Sequence, residues 1–94
     1  MSESFDTAQK ARRALMQNRP LIDVREGWEF AAGHIPGAIN IPLGSLDQAA
    51  IAQGSALYCR SGHRSEEGRK ILQARGIETE NIGGMLTYAG PIEK

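Results

Sequence analysis

The chain has 94 residues, of which 40% are hydrophobic and 23% are charged, a composition typical of a small globular domain and unlike that of a disordered segment. Eleven basic and eleven acidic residues give a formal net charge of zero, so no general nucleic-acid-binding surface is indicated. No apolar run is long enough to span a bilayer, and the polar N-terminus lacks the apolar segment of a secretory signal. We therefore expect one domain over residues 1–94, cytoplasmic and monomeric, with neither nucleic acid nor membrane as a partner.

Short apolar runs alternate with segments of helical periodicity along the chain. In chain order, the predicted elements are a helix over 3–19, a strand over 21–25, a short helix over 26–32, a strand over 38–41, a helix over 45–52, a strand over 55–59, a helix over 64–76 and a short strand over 80–82. Ser45 or Asp47 is the expected cap of the fifth element, and Gly76 suits the C-terminal end of the clearest helix. Strands alternating with helices predict an α/β fold with a mainly parallel sheet.

The only cysteine, Cys59, ends a predicted strand and is followed by Arg-Ser-Gly-His-Arg-Ser. The pKa of a thiol falls near cations and at helix N-termini, and here Arg60, Arg64 and the start of a helix are all close in sequence. If Gly62 lets the loop curl, several backbone N–H groups converge on the sulfur and also stabilise a charged sulfur species attached to it. Free cysteines are most often buried core residues, but this polar sequence favours an exposed functional loop.

Other chemistries of the loop fit the sequence less well. Cys59, His34 and His63 lack the spacing of zinc ligands, and the glycine and lysine spacing of a phosphate-binding P-loop is absent, so neither a metal nor another cofactor is expected. Cys59 and Arg64 form a Cys-x4-Arg pattern, one residue shorter than the Cys-x5-Arg of cysteine-dependent phosphatases. The shorter loop favours a sulfur atom on the cysteine over a phosphoryl group, with a phosphatase or arsenate reductase as the less favoured alternative.

Four blocks, LIDVRE, GHIPGAINIP, CRSGHRS and NIGGM, occur in the order and roughly the spacing found in single-domain rhodaneses, also called thiosulfate sulfurtransferases. The chain resembles this family over residues 21–85. The resemblance implies a rhodanese-like α/β fold, with a mainly parallel sheet of about five strands and helices on both faces. It also implies a double displacement, in which a donor such as thiosulfate transfers its outer sulfur to Cys59. The resulting persulfide then passes that sulfur to an acceptor, cyanide in vitro or a thiol in the cell.

The same resemblance assigns roles to individual residues. Cys59 is the expected catalytic residue, and Arg64 is a stronger candidate than Arg60 for binding the anionic end of the donor. Asp23 and Arg25 match the family's Asp-Val-Arg block and are expected to support the loop, Asp23 through a structural hydrogen bond or ion pair. The full set of expected substrate-binding residues is Arg60, Ser61, Gly62, His63, Arg64 and Ser65.

One departure from the family pattern concerns the region after Gly83 and Gly84. Family members commonly have a tryptophan there, whereas Tyr88 is the only aromatic residue in this part of the chain. We therefore expect a shallow, exposed pocket.

The alternative to a turnover enzyme is a non-turnover role, in which the domain carries sulfur for a protein partner or regulates it.

Overall fold

The computed structural model describes residues 6–94. Its sheet has four strands, β1 (Leu21–Asp23), β2 (Ile39–Asn40), β3 (Ala56–Cys59) and β4 (Glu80–Gly84). Its helices are α1 (Thr7–Met16), α2 (Gly27–Ala32) and α3 (His63–Ala74), with 3-10 turns at Leu43–Ser45 and Met85–Thr87. The strands lie in the order β2-β1-β3-β4 and every neighbouring pair is parallel, which confirms the predicted α/β class.

Helices cover both faces of the sheet, as predicted. On the α1 face, Tyr58 packs with Ala11, Leu21 and Ile82, among other residues. On the α3 face lies a second cluster, with the members Ile22, Val24, Leu46, Leu57, Cys59 and Leu72. Because side chains alternate along a strand, consecutive Tyr58 and Cys59 point to opposite faces, and the cysteine belongs to the α3 side.

Helix α1 begins and ends where local chemistry requires it. The Asp6 side chain accepts a hydrogen bond of 2.9 Å from the Gln9 amide, which satisfies a first-turn donor. Asn18 has a φ of 58°, a left-handed conformation that ends the helix two residues before Pro20. The predicted helix extended further, over residues 3–19; its first three residues, which include Phe5, lie outside the described part of the chain.

Two expectations about the fold need correction. The helix predicted over residues 45–52 is wrong, since only the 3-10 turn Leu43–Ser45 forms, followed by irregular turns. Leu46 is the only buried side chain in that segment, so no apolar stripe supports a helix against its nucleation cost. The Arg75 side chain instead binds the carbonyl oxygens of Leu46 and Ala49, at 2.6 and 2.9 Å. The sheet has four strands in the described chain, where the family resemblance implied about five.

The parallel arrangement gathers the carboxyl ends of β1, β3 and β4 at one edge of the sheet. The register between β3 and β4 shifts there: Leu57 pairs with Asn81, but Cys59 pairs with Gly84. One additional residue on β4 is therefore accommodated beside the cysteine, and Gly83 has a φ of 102°. This irregularity brings the end of β4 directly beneath the loop that follows Cys59.

Candidate functional site

The loop after Cys59 curls around the cysteine sulfur. The Gly62 amide donates to Sγ at 3.0 Å and the Ser65 amide at 3.4 Å. Ser65 is in the first turn of α3, whose amides have no partner within the helix, so its N–H is free to point at the sulfur. Gly62 has a φ of 95°, a conformation that glycine adopts without strain and that reverses the chain into α3. The predicted convergence of backbone N–H groups on Cys59 is therefore present.

The electrostatics of Cys59 reflect two opposing effects. Burial raises the pKa of the thiol, whereas hydrogen bonds from the hydroxyl and amide of Ser65 and the amide of Gly62 lower it. The hydrogen bonds prevail, and the pKa of Cys59 lies below its ordinary value of 9.0. The site therefore stabilises the thiolate, the nucleophilic form, more than the surroundings of an ordinary cysteine do.

Cys59 is more deeply placed than the sequence indicated. The residue has no exposed surface and packs in the α3-side core with Leu57 and Leu72, although the loop was expected to present it to solvent. The polar residues that follow it do line the surface, since Arg60 and Ser61 are exposed. The end of β3 is therefore part of the core, and the Cys59 sulfur faces the amides of Gly62 and Ser65.

Asn81 on β4 cross-links the loop, a role that the sequence analysis did not assign. Its Oδ1 accepts from the Ser65 hydroxyl at 2.7 Å and from the Gly83 amide at 3.0 Å. Its Nδ2 donates to the Gly62 carbonyl oxygen at 3.0 Å. The Ser65 hydroxyl also lies 3.5 Å from Cys59 Sγ, so the Asn81 oxygen and the sulfur compete for one hydroxyl proton. The only sequence signal was a polar side chain within the NIGGM block.

Arg64 is engaged by a partner from another element. Its Nη1 and Nη2 donate to Oε1 and Oε2 of Glu29 on α2, at 2.8 and 3.0 Å. The hydrogen bond from Arg64 is the main reason that the pKa of Glu29 falls from 4.5 to about 2. The sequence pattern indicated Arg64 but not Glu29, which is 35 positions away with no local pattern to connect the two. One of the two loop cations is therefore paired within the protein.

The remaining loop residues face outward. Arg60 is exposed, and its guanidinium makes no hydrogen bond or ion pair with any residue that the structure describes. Ser61 Oγ accepts from the His63 amide at 3.3 Å, and the His63 side chain is exposed at the start of α3. Of the predicted anion-binding residues, Arg60 is thus the cation that is available to a ligand.

Asp23 and Arg25 form a buried ion pair at the end of β1. Arg25 Nη2 donates to Asp23 Oδ2 at 2.7 Å and to the Gly33 carbonyl oxygen at 2.8 Å, while Nε contacts both carboxylate oxygens at 3.0 Å. The guanidinium carbon also lies 5.9 Å from the centre of the Tyr58 ring. This pair fixes the turn after β1 next to the end of β3.

The described residues contain neither a cluster of metal-ligand side chains nor a helix suited to cross a membrane. Between positions 6 and 94, no three side chains of the His, Cys, Asp and Glu types lie close enough together to hold a metal ion. None of the helices described has both the length and the apolar character that crossing a membrane requires.

Known structures contain the same fold. A rhodanese from E. coli, solved with anions, superposes with a TM-score of 0.72 and is 31% identical, covering 81% of this chain and 98% of the other. This similarity extends over almost the whole of that protein.

Relatives in sequence are named for sulfur transfer or sulfur carriage. YtwF of Bacillus subtilis (strain 168), a putative sulfurtransferase, is 39% identical over 75 residues, which are 74% of this chain and 73% of the relative. PspE of Escherichia coli (strain K12), a thiosulfate sulfurtransferase, is 34% identical over 77 residues, 74% of each protein. YrkF of Bacillus subtilis (strain 168), a putative sulfur carrier protein, is 33% identical over 79 residues, 78% of this chain. The chain spans only 43% of the length of YrkF.

The family model named rhodanese-like domain matches residues 7–85. That range contains all four blocks of the sequence resemblance, the whole parallel sheet and the loop around Cys59. The chain belongs to the rhodanese-like domain family.

Proposed function

We propose that the protein is a sulfurtransferase that accepts a sulfane sulfur from thiosulfate on Cys59 and passes it to a thiol, or to cyanide in an assay. The observation that carries this proposal is that two backbone amides donate to Cys59 Sγ, that of Gly62 at 3.0 Å and that of Ser65 at 3.4 Å. The sulfurtransferase names of the relatives YtwF and PspE support the same chemistry.

In the first step, the Cys59 thiolate attacks the outer sulfur of thiosulfate. A bond forms between Sγ and that sulfur, the sulfur–sulfur bond of thiosulfate breaks, and sulfite leaves with the bonding electron pair. The product is a Cys59 persulfide anion, and the total charge is unchanged. Backbone amides that stabilise the thiolate are equally suited to the persulfide anion, because they donate to negative charge on sulfur.

The positive charge for the donor comes from Arg60 in this proposal. Arg64 already makes two hydrogen bonds to Glu29, whereas the guanidinium of Arg60 is exposed and has no partner in residues 6–94. A guanidinium matches the geometry of a sulfonate group, to which it donates two parallel hydrogen bonds. Arg60 therefore replaces Arg64 as the main donor-binding residue, and Arg64 has an electrostatic role.

Access to the sulfur requires movement of the loop, because Cys59 has no exposed surface. We assign this movement to residues 60–62, which follow Cys59 directly and include the exposed Arg60 and Ser61. Their displacement breaks the 3.0 Å hydrogen bond from the Gly62 amide and opens a path for the donor. Loop opening thus precedes sulfur uptake in the proposed cycle.

The test is intact mass after incubation with thiosulfate. The native protein is expected to gain one sulfur atom and to lose it again when cyanide is added. Cys59→Ser, with its fold checked by circular dichroism, is expected to gain none. A native protein that keeps its original mass, with a thiol that still reacts with iodoacetamide, would contradict the proposal and direct attention to phosphate or arsenate chemistry.

A sulfur-carrier role is the second candidate. It is favoured by the relative YrkF, a putative sulfur carrier protein, and by the burial of Cys59. A carrier is expected to load stoichiometrically with sulfur but to turn over slowly with thiosulfate and cyanide. Steady-state production of thiocyanate, compared with the rate of loading, separates the two roles.

A further inference from the structure

A groove of about 500 Å³ borders the cysteine loop on the side of α2. Arg60 lines it, and the carbonyl oxygen of Arg60 accepts a hydrogen bond of 2.9 Å from the amide of Leu86, another lining residue. Glu29 also lines the groove and accepts a hydrogen bond from Arg64. Lining residues therefore contact the cysteine loop at both of its ends, Arg60 and Arg64. Nothing in the proposed uptake of a small inorganic donor requires a space of this size.

The groove is flanked by two large apolar side chains that the fold leaves unpacked. Trp28 on α2 is 75% exposed, and Leu86 on the Met85–Thr87 turn is 62% exposed. Met85 and Ala32 add further apolar surface between them. Tryptophan, arginine and methionine are enriched in protein interfaces, where burial of such side chains supplies much of the binding free energy.

The charge of the groove is one unit positive. The guanidinium of Arg25 is balanced by Asp23, and that of Arg64 by Glu29. Arg60 is left without a counterion among the described residues. Arg25 Nη1 also has no partner within the described chain, so a fixed N–H donor is available in the same wall. The complementary surface therefore carries one negative charge beside an apolar group.

We propose that this groove docks the polypeptide that receives the sulfur, through a segment in which the acceptor cysteine lies between a large apolar residue and an acidic residue. The acidic residue faces Arg60, and the apolar residue packs between Trp28 and Leu86. A small thiol would leave both of those side chains in water, whereas a polypeptide buries them. The inference rests on the proposed function, since it requires a persulfide on Cys59.

The transfer step is a thiol–persulfide exchange. The thiolate of the acceptor attacks the outer sulfur of the Cys59 persulfide, and a new sulfur–sulfur bond forms on the acceptor. The bond to Sγ breaks, and Cys59 leaves as a thiolate that the Gly62 and Ser65 amides stabilise. The persulfide, which forms as an anion, takes up one proton from solvent before the attack, and that proton stays on the transferred sulfur. One sulfur–sulfur bond forms as another breaks, so no oxidant or reductant is consumed.

The experiment is a single-turnover discharge to synthetic peptides. Protein loaded with thiosulfate and freed of excess donor is checked by intact mass and then mixed with the peptide acetyl-Gly-Leu-Cys-Glu-Gly-amide. Two comparison peptides replace Glu by Lys or Leu by Ser. Native protein is expected to discharge about 10-fold faster to the acidic peptide than to the lysine peptide. Arg60→Glu is expected to reverse that preference, a comparison that cancels the intrinsic reactivity of each peptide thiol.

Trp28→Ala tests the apolar half of the groove. It is expected to load with thiosulfate and discharge to cyanide as the native protein does, but to lose the advantage of the leucine peptide over the serine peptide. Met16→Ala is the matched control, because Met16 is also a large exposed apolar residue, 78% exposed, but lies on α1 away from the groove. It is expected to behave like native protein with every peptide.

The outcomes separate the two proposals. Normal loading of the native protein and of Trp28→Ala, with equal discharge to all peptides, overturns the docking site and leaves the sulfurtransferase intact. Failure of the native protein to form a persulfide overturns both. If Arg60→Glu repels thiosulfate and does not load, Arg60→Gln replaces it, and its expected result is loss of the preference for the acidic peptide.

Discussion

Glu29 and Arg64 form a two-pronged ion pair that joins α2 to the cysteine loop, with N–O distances of 2.8 and 3.0 Å. The pKa of Arg64 is raised mainly by the hydrogen bond to Glu29 and further by the charge of Cys59, so the guanidinium lies within electrostatic range of the sulfur. The carboxylate therefore offsets one positive charge at the site. It leaves Arg60 as the loop arginine without an ion-pair partner among the described residues.

Removing the Glu29 carboxylate is expected to strengthen the binding of thiosulfate. In Glu29→Gln the guanidinium of Arg64 is no longer neutralised, and the KM for this dianion is expected to fall about fivefold, on the order of 1 kcal/mol. Steady-state kinetics at low ionic strength measure the change. Glu67→Gln on the exposed side of α3 is the control and is expected to leave KM unchanged. A raised KM in Glu29→Gln would show instead that the carboxylate positions Arg64 for the donor.

The Glu29–Arg64 pair also makes stability depend on pH. The folded-state pKa of Glu29 is about 2, depressed from 4.5 by Arg64. The contribution of the ion pair to the free energy of unfolding is therefore complete above pH 4.5 and is lost as the pH falls towards 2. Because Arg64 is one-third exposed, that contribution is about 1 kcal/mol. Urea unfolding of native protein and Glu29→Gln should differ by a constant amount from pH 5 to 7, and the difference should shrink below pH 4. A pH-independent difference would contradict the assignment.

The thiol of Cys59 is expected to combine a low pKa with slow reaction. Alkylation by iodoacetamide should have a pH midpoint below 9.0, because the amides and hydroxyl around Sγ favour the thiolate. The plateau rate should be at least about 10-fold below that of glutathione, because the loop must open before reagent reaches a buried sulfur. In urea-unfolded protein, the midpoint should return to the ordinary thiol value and the plateau should rise. Fast alkylation of the native protein would mean that the loop is open in solution.

Asn81 is expected to tune Cys59 through the Ser65 hydroxyl. In Asn81→Asp, a carboxylate competes more strongly for the hydroxyl proton and adds negative charge beside the thiolate. The alkylation midpoint should therefore rise by about one pH unit. Gln73→Glu makes the same charge change at the exposed far end of α3 and should leave the midpoint in place. An unchanged midpoint in a folded Asn81→Asp would reduce Asn81 to a structural residue.

Gly84 is expected to tolerate no side chain. A Cβ there would clash with the Arg60 carbonyl oxygen and lie 2.7 Å from that of Cys59, so either β4 or the loop must shift. Gly84→Ala is expected to lower the free energy of unfolding by about 2–3 kcal/mol and to slow sulfur uptake. Gly44→Ala is the matched control, because a Cβ at Gly44 meets nothing within 4 Å, and its stability should change by less than about 0.5 kcal/mol. Native stability in Gly84→Ala would contradict the close packing.

Local features of the fold were predictable where a short segment carries the whole signal. The alternating pattern identified four strand segments and the helices α1, α2 and α3, all of which the structure contains. The prediction of a helix over residues 45–52 was wrong. The Arg75 side chain donates to the Ala49 carbonyl oxygen in that segment, and no local pattern reveals a contact between residues 26 positions apart. The fifth strand came from the family resemblance alone, and no residue pattern supported it.

The sequence by itself determined that Cys59 follows a strand and precedes a helix, because alternation, glycine and charge are properties of adjacent residues. It thereby predicted that backbone N–H groups converge on the sulfur of Cys59. Only the tertiary structure decided which groups act on that sulfur: Asn81 from β4 secures the loop, and Glu29 from α2 takes the charge of Arg64. It also decided that the sulfur is buried and that Arg60 remains available. These relationships depend on distances between segments that are remote in sequence, and packing of the sheet and helices sets those distances.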